Sequence, residues 1–399
     1  MFPLLLDSLG CFAHFWQDVG SIYFDYNAAT PLDAEVKEVM DSFFAKFFGN
    51  PSSIHARGRE ARAHLDEARE QLAALLKCKP SEIVFTSGGT ESNNLAIFGA
   101  AHALASRGRH LVTTKIEHHA VLECFQYLEK NENWSVTYVS AGPDGLVPPE
   151  SIFEAVRDDT VLVSLMAANN ETGAVQAVRK VGSFCRQRGI CFHTDAVQWF
   201  GKMPFDSIHQ FEADLVSGCA HKLHGPKGAG FLFIRSPLRL KPLILGGPQE
   251  NELRAGTENL PLITGLVKAF SKFLQPPVFS STEIQVMANE LRGFLFSQSC
   301  VRLIQPPSFL PNTVSFTVKG ATSLEVLANL DLEGIQASAG AACMSGALQP
   351  SHVLLGMGFD PIEANALVRL SLGRDNTLSD VQHFKTIFKK LSQRWTTSK

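Results

Sequence analysis

The 399-residue sequence contains no C-x-x-C pair, and its eight cysteines (Cys11, Cys78, Cys124, Cys185, Cys191, Cys219, Cys300, Cys343) form no Cys/His cluster at zinc-ligand spacing. This pattern reads as reduced thiols in a cytosol-like compartment, so a cytoplasmic location is expected. There is no excess of positive charge. With 36 Lys and Arg against 39 Asp and Glu, the formal net charge is -3, which argues against nucleic acid or anionic lipid as the main partner. No apolar run is long enough to cross a bilayer. The apolar start, Met1 to Trp16, is too short, is interrupted by Asp7 and has no Lys or Arg, so it does not read as a signal peptide. Residues 1–20 are expected to form an arm of unknown role, or an extension upstream of the natural start. Internal repeats and low-complexity segments are absent as well.

What is present is an ordinary globular composition, 45% hydrophobic and 19% charged, over a length that suggests two or three folding units. From about Ile22 to Gly265, short apolar runs such as Glu82–Phe85, His110–Thr113 and Val161–Leu165 alternate with stretches of helical period. That rhythm predicts βαβ units and an α/β domain with a largely parallel sheet over residues 21–265. Residues 266–399 open with a helical stretch and a break at Pro276 and Pro277, then offer a strand at Thr313–Val318 and later helices. They predict a smaller α+β domain, against which the start of the large domain can also pack.

Three segments carry chemistry. Lys222 lies in a turn-rich loop just after the apolar run Asp214–Val216, and open α/β sheets place their ligands at strand ends of this kind. A partly desolvated lysine there can form a Schiff base with an aldehyde, although most loop lysines are simply solvated. Asp195 ends another apolar run; a carboxylate in that position can keep a pyridine nitrogen protonated, or can merely cap a helix. Ser87-Gly88-Gly89-Thr90-Glu91 follows a strand candidate and precedes a helical stretch, so free backbone N–H groups and the helix dipole favour an anion such as phosphate.

Together these segments resemble the class V aminotransferases, and within them the cysteine desulfurases of the nitrogen-fixation and iron–sulfur-cluster type. The motifs run through Phe24–Pro31, Phe48–Ser53, Ser87–Asn94, Glu117–His119, Asn169–Gly173, Asp195–Gln198, His221-Lys222 and Arg254–Asn259. The resemblance implies a fold-type-I large domain with a mainly parallel seven-stranded sheet, and pyridoxal 5'-phosphate as cofactor. It implies that Lys222 carries the cofactor and that Asp195 faces the pyridinium nitrogen. Gly89, Thr90 and His221 would hold the phosphate, and Thr257 would reach it from the neighbouring subunit of a homodimer. Asn170 and Gln198 would touch the ring-oxygen side and His118 would stack on the ring; His119 reads as a surface or packing histidine. Cys219 stands where the family commonly has a serine donor to the phosphate, and a thiol is a weak donor.

Cys343 lies in a run of small residues, Ala337–Ala347, with glycines at 340 and 346, a composition that suits a moving thiol or a close helix contact. The resemblance makes it the catalytic cysteine of the longer-loop subgroup, carried by the small domain. The hydroxyl-bearing neighbours common in the family are replaced here by Ala339, Ala341 and Met344. Arg369 matches the arginine that forks onto the substrate carboxylate, with Asn170 beside it, whereas Arg374 reads as structural or solvated. The implied reaction takes sulfur from L-cysteine, with Lys222 and His118 moving protons, and leaves alanine and a persulfide on Cys343. The sulfur would pass to an acceptor protein such as an iron–sulfur scaffold or a tRNA-thiolation protein. A selenocysteine lyase, a true aminotransferase and a non-catalytic scaffold share the fold and stay open at this point. No metal ligand set is expected.

Overall fold

The computed structural model describes residues 21–339 and 349–397. The arm expected over residues 1–20 and the position of Cys343 lie outside the described residues.

Seven strands form the central sheet, in the order β2 (Ile83–Thr86), β8 (Gly230–Ile234), β7 (Leu215–Cys219), β6 (Cys191–Asp195), β5 (Thr160–Ser164), β3 (His110–Thr114) and β4 (Ser135–Val139). All neighbours are parallel except β8, which runs antiparallel to both β2 and β7. The expected α/β class and seven-stranded, mainly parallel sheet are borne out. Six of the strands are buried at every position, because helices cover both faces and leave no polar side for alternation. The two-residue period persists inside the apolar runs. Leu111, Leu162, Leu215 and Leu232 point into one core, while their neighbours Val112, Val163, Val216 and Phe233 point into the other.

Helices α1 (Ala34–Lys46) and α2 (Ala56–Leu76) precede the sheet; α3 (Gly89–Leu104), α4 (His119–Asn131), α5 (Pro149–Ala155) and α6 (Val178–Arg188) alternate with its strands. The buried residues of α4, from Ala120 and Val121 to Cys124, Phe125 and Leu128, fall on one helical face. Helix α6 stops at Gly189, whose φ of 67° suits glycine. Helix α7 (Leu260–Phe273) packs on α1 and α2, so residue 265, the expected end of the large domain, falls inside an unbroken helix.

The C-terminal unit is built on an antiparallel sheet of order β12 (Leu367–Ser371), β10 (Thr313–Val318) and β9 (Val301–Ile304). Helices α8 (Thr282–Phe296), α9 (Ser323–Leu332), α10 (His352–Gly356), α11 (Pro361–Ala364) and α12 (Leu378–Thr397) complete it. The chain's first described strand, β1 (Ile22–Tyr23), pairs with β11 (Ile335–Gln336) of this unit, and Phe24 packs edge-on against Phe384. Residues 24–31 therefore run from the small sheet to the edge of the large one.

Candidate active site

Five loops that carry expected site residues leave the same edge of the central sheet. His118 follows β3, Asn170 follows β5, Asp195 and Gln198 follow β6, Lys222 follows β7, and Gly89 and Thr90 follow β2. Because β2, β3, β5, β6 and β7 are mutually parallel, all these residues emerge at their C-terminal ends, where helix N-termini also point. Gly88 caps α3 with a φ of 153°, and β8 passes so close that a Cβ on Gly230 would lie 2.6 Å from Gly88 Cα. Gly88 supplies no side-chain cap, so among the described residues the first N–H groups of α3, beside the exposed Thr90, are left without a capping side chain from that position. A cavity of about 620 Å³ opens here between α3 and α4, lined by Thr90, Asn94, His118 and His119 among others.

The floor of the site is polar and closely bonded. Asp195 is buried, accepts from Asn93 Nδ2 at 2.7 Å and from the Val197 N–H at 2.9 Å, and is thus held as an oriented carboxylate. His118 caps α4, with its Nδ1 accepting from the Ala120 N–H at 3.0 Å, which leaves the proton of the neutral ring on Nε2. Crowding by protein atoms lowers its pKa, Lys222, His119 and His352 act in the same sense, and Asp195 opposes them. Lys222 Nζ donates to the carbonyls of Asn27 (2.8 Å) and Ala28 (2.6 Å). Burial lowers its pKa from the ordinary lysine value and favours the neutral amine. Burial also brings His221 down to about 4 and pushes the Cys219 thiol up to about 11, so the first is neutral and the second protonated at pH 7.

Arg369 sits on β12, is 1% exposed, and joins the C-terminal unit to this edge. Its Nη1 donates to the Asn170 carbonyl at 2.7 Å and its Nη2 to Asp25 Oδ1 at 2.5 Å. Gln198 is turned inward: Nε2 donates to the Asn27 carbonyl at 3.0 Å and Oε1 accepts from Lys202. Thr257 is exposed in the loop before α7, in a separate cavity of about 220 Å³ with Ser87 and Arg254. Arg254 in turn bonds Glu91 at the start of α3, 2.9 Å away. His119 is exposed and packs its ring on His352 at 4.4 Å, and Arg374 is paired with Asp33.

Several participants carry no role from sequence reasoning. Asn93, Asp25 and Asn27 lie inside motifs that were recognised, but their partners are distant in the chain. Glu117 is fully buried, and burial pushes its carboxyl up to about 8 even though Met166 N–H and Thr114 Oγ both donate to Oε1. The Asn-Ala-Ala-Thr turn at 27–30 and the apolar neighbours of Lys202 were the available signals.

The donor set fits pyridoxal phosphate: a desolvated amine, a carboxylate on the sheet floor, a neutral flat ring, and free N–H groups at a helix start. A model of the aminotransferase class-V family matches residues 22–384. The chain belongs to that family. Within it the chain groups with the cysteine desulfurases. It is 42% identical over 380 residues to "Cysteine desulfurase IscS" of Dictyoglomus turgidum, covering 94% of this chain and 95% of that protein. It is 39% identical to the protein of the same name from Methanosarcina thermophila, covering 94% and 92% of the two chains. Among solved structures, a "NifS-like protein" superposes with a TM-score of 0.86 at 38% identity, over 94% of this chain and all of the other. A structure titled "SspA in complex with cysteine" gives a TM-score of 0.78 at 35% identity, over 88% and 99%. Among the described residues no helix is long and apolar enough to cross a membrane.

Proposed function

We propose that this chain is a pyridoxal-phosphate-dependent cysteine desulfurase that converts L-cysteine to L-alanine and stores the sulfur as a persulfide on Cys343. The observation that carries the reading is the convergence of Lys222, Asp195, His118 and the start of α3 on one sheet edge. Bound pyridoxal phosphate supplies an electron sink that stabilises negative charge at the substrate's α-carbon. Lys222 would carry the cofactor and, once released, move the α-proton, a task suited to an amine whose charge is already disfavoured by burial. Asp195 would keep the ring nitrogen protonated, and Asn93 and the Val197 N–H hold its two oxygens in place for that. Gly89, Thr90 and His221 would bind the phosphate, with Cys219 as a weak fourth donor and Thr257 from the second subunit of a homodimer.

His118 would stack on the ring and hand its Nε2 proton to or from the substrate thiol. Arg369 would bind the substrate carboxylate, exchanging part of its present bonding to Asp25 and the Asn170 carbonyl. Asn170 and Gln198 would face the ring oxygen. The Cys343 thiolate then attacks the substrate sulfur: the new S–S bond forms as the C–S bond breaks, and the carbon skeleton leaves as alanine after proton return. The persulfide on Cys343 passes to a sulfur-acceptor protein.

Incubating purified protein with cysteine should yield alanine, and the peptide containing Cys343 should gain the mass of one sulfur atom. Cys343→Ala should abolish turnover while the yellow cofactor stays bound. Undiminished alanine formation by that variant would overturn the assignment.

A further inference from the structure

Arg369 is 1% exposed on β12, and a guanidinium so deep in the protein needs a counter-charge before any substrate arrives. Asp25 supplies one. Its Oδ1 accepts from Arg369 Nη2 at 2.5 Å, while Arg369 Nη1 donates to the Asn170 carbonyl at 2.7 Å. Both ends of this pair are fixed to the same strand. The backbone around Asp25 bridges to Ser371: the Ser371 N–H donates to the Phe24 carbonyl at 2.8 Å, and the Tyr26 N–H to the Ser371 carbonyl at 3.2 Å. The Tyr23 hydroxyl donates to the Asp25 carbonyl at 3.0 Å. Arg369, two residues before Ser371, exchanges backbone hydrogen bonds with Ser338. The pair also borders the site, because Lys222 senses both groups, Asp25 favouring its charge and Arg369 opposing it. A substrate carboxylate that forks onto Arg369 therefore meets a carboxylate already bonded there.

We propose that Asp25 is a positioning residue that holds the Arg369 guanidinium ready and, by sharing it with the incoming carboxylate, sets how strongly an amino acid is preferred over a plain amine. The inference rests on the reading of Arg369 as the carboxylate-binding residue, and adds a group that the reaction as described does not use. Asp25 has two opposed effects. As a counter-charge it stabilises the buried guanidinium; as an anion beside the substrate carboxylate it repels that carboxylate. Repulsion decides the sign for binding, because the placement of Arg369 does not depend on the charge of Asp25 alone. The Asn170 carbonyl and the Ser338 backbone bonds remain, and the amide oxygen of an Asp25→Asn variant still faces Nη2. Two carboxylates about 6 Å apart, at an effective dielectric constant of about 20 to 40, repel enough to weaken binding roughly ten- to a hundredfold.

The test compares L-alanine with ethylamine, the same amine without the carboxylate, on the full-length holoenzyme, with dissociation constants read from the cofactor's absorbance. Both ligands bring an amine to Lys222, so the ratio of their affinities cancels what Asp25 does to that lysine. In Asp25→Asn the preference for L-alanine should rise roughly ten- to a hundredfold, and the Tm without ligand should fall because Arg369 has lost its counter-charge. A preference that is unchanged or smaller overturns the proposal. Acetate, a bare carboxylate, guards against a variant too unstable to assay. Added during purification, it should take the place of the lost counter-charge and raise the Tm of Asp25→Asn more than that of the parent; a variant that acetate does not stabilise in this way overturns the proposal as well. The two readings fail differently. No preference for L-alanine over ethylamine in parent and variant alike would refute the assignment of Arg369, whereas the same clear preference in both would refute only the role of Asp25.

Discussion

Glu117→Gln should stabilise the protein at neutral pH and leave its stability unchanged in acid. Glu117 is buried completely, its Oε1 accepts two hydrogen bonds, and its pKa is pushed up to about 8 from 4.5, chiefly by burial. Below about pH 4.5 the carboxyl is protonated in the folded and the unfolded chain alike, and its ionisation contributes nothing. Between 4.5 and 8 the unfolded chain loses the proton first, so stability present in acid is progressively lost as pH rises, and above 8 the loss is complete. At pH 7 the loss amounts to about 3 kcal/mol, from roughly 1.4 kcal/mol for each pH unit above the unfolded value. Glutamine keeps the acceptor for Thr114 and Met166, resembles the protonated acid in shape, and cannot ionise. With an unfolding entropy of about 2 cal/mol/K per residue, the gain corresponds to about 4 °C in Tm for a chain of this length. Thermal melts of parent and variant by circular dichroism, at about pH 5 and at about pH 7.5, would show the difference opening with pH. A Tm difference that stays constant across that range would refute the claim that Glu117 is neutral in the folded protein.

Two further outcomes follow from neighbouring geometry. Arg69 forks onto the buried Glu250 at 2.9 and 2.6 Å, and Glu250 also accepts from the Phe85 N–H at the start of the cofactor edge. Arg69→Met strands that carboxylate and should cost about 3–5 kcal/mol in unfolding experiments; a loss under about 1 kcal/mol, the value of a surface pair, would contradict it. Asp195→Asn keeps the shape of the site but removes the charge opposite the ring nitrogen. It should reduce the rate of alanine formation on the order of 10²-fold or more with Lys222 still modified by borohydride, and near-normal turnover would show that Asp195 does not face the ring.

Much of the fold was legible because the signals are local. An apolar run covered on both faces reads as a parallel strand, and β3, β5 and β10 fall almost where the runs at 110, 161 and 313 place them. The Gly-Gly turn at 88–89 opens α3 for the same reason, since its backbone conformation belongs to glycine. The limit of the large domain was less legible. Residue 265 looks like a change of rhythm, but α7 continues through it because its apolar face is covered by α1 and α2, more than 180 residues earlier.

The sequence by itself determined which residues stand at strand ends: Lys222, Asp195, His118 and Gly89 follow apolar runs, and that order along the chain is enough to suggest the chemistry. Only the tertiary structure decided which groups share a pocket and what each already holds. Arg369 is bonded to Asp25, Gln198 faces Lys202, and Asn27 joins both lysines. The partners are separated by between 4 and 344 positions, and the distant ones meet only because residues 24–31 cross from the small sheet to the large one. Spacing along a chain encodes a helix face or a strand face. Hydrogen bonds between side chains from separate elements depend on how those elements pack, and packing is a property of the folded whole.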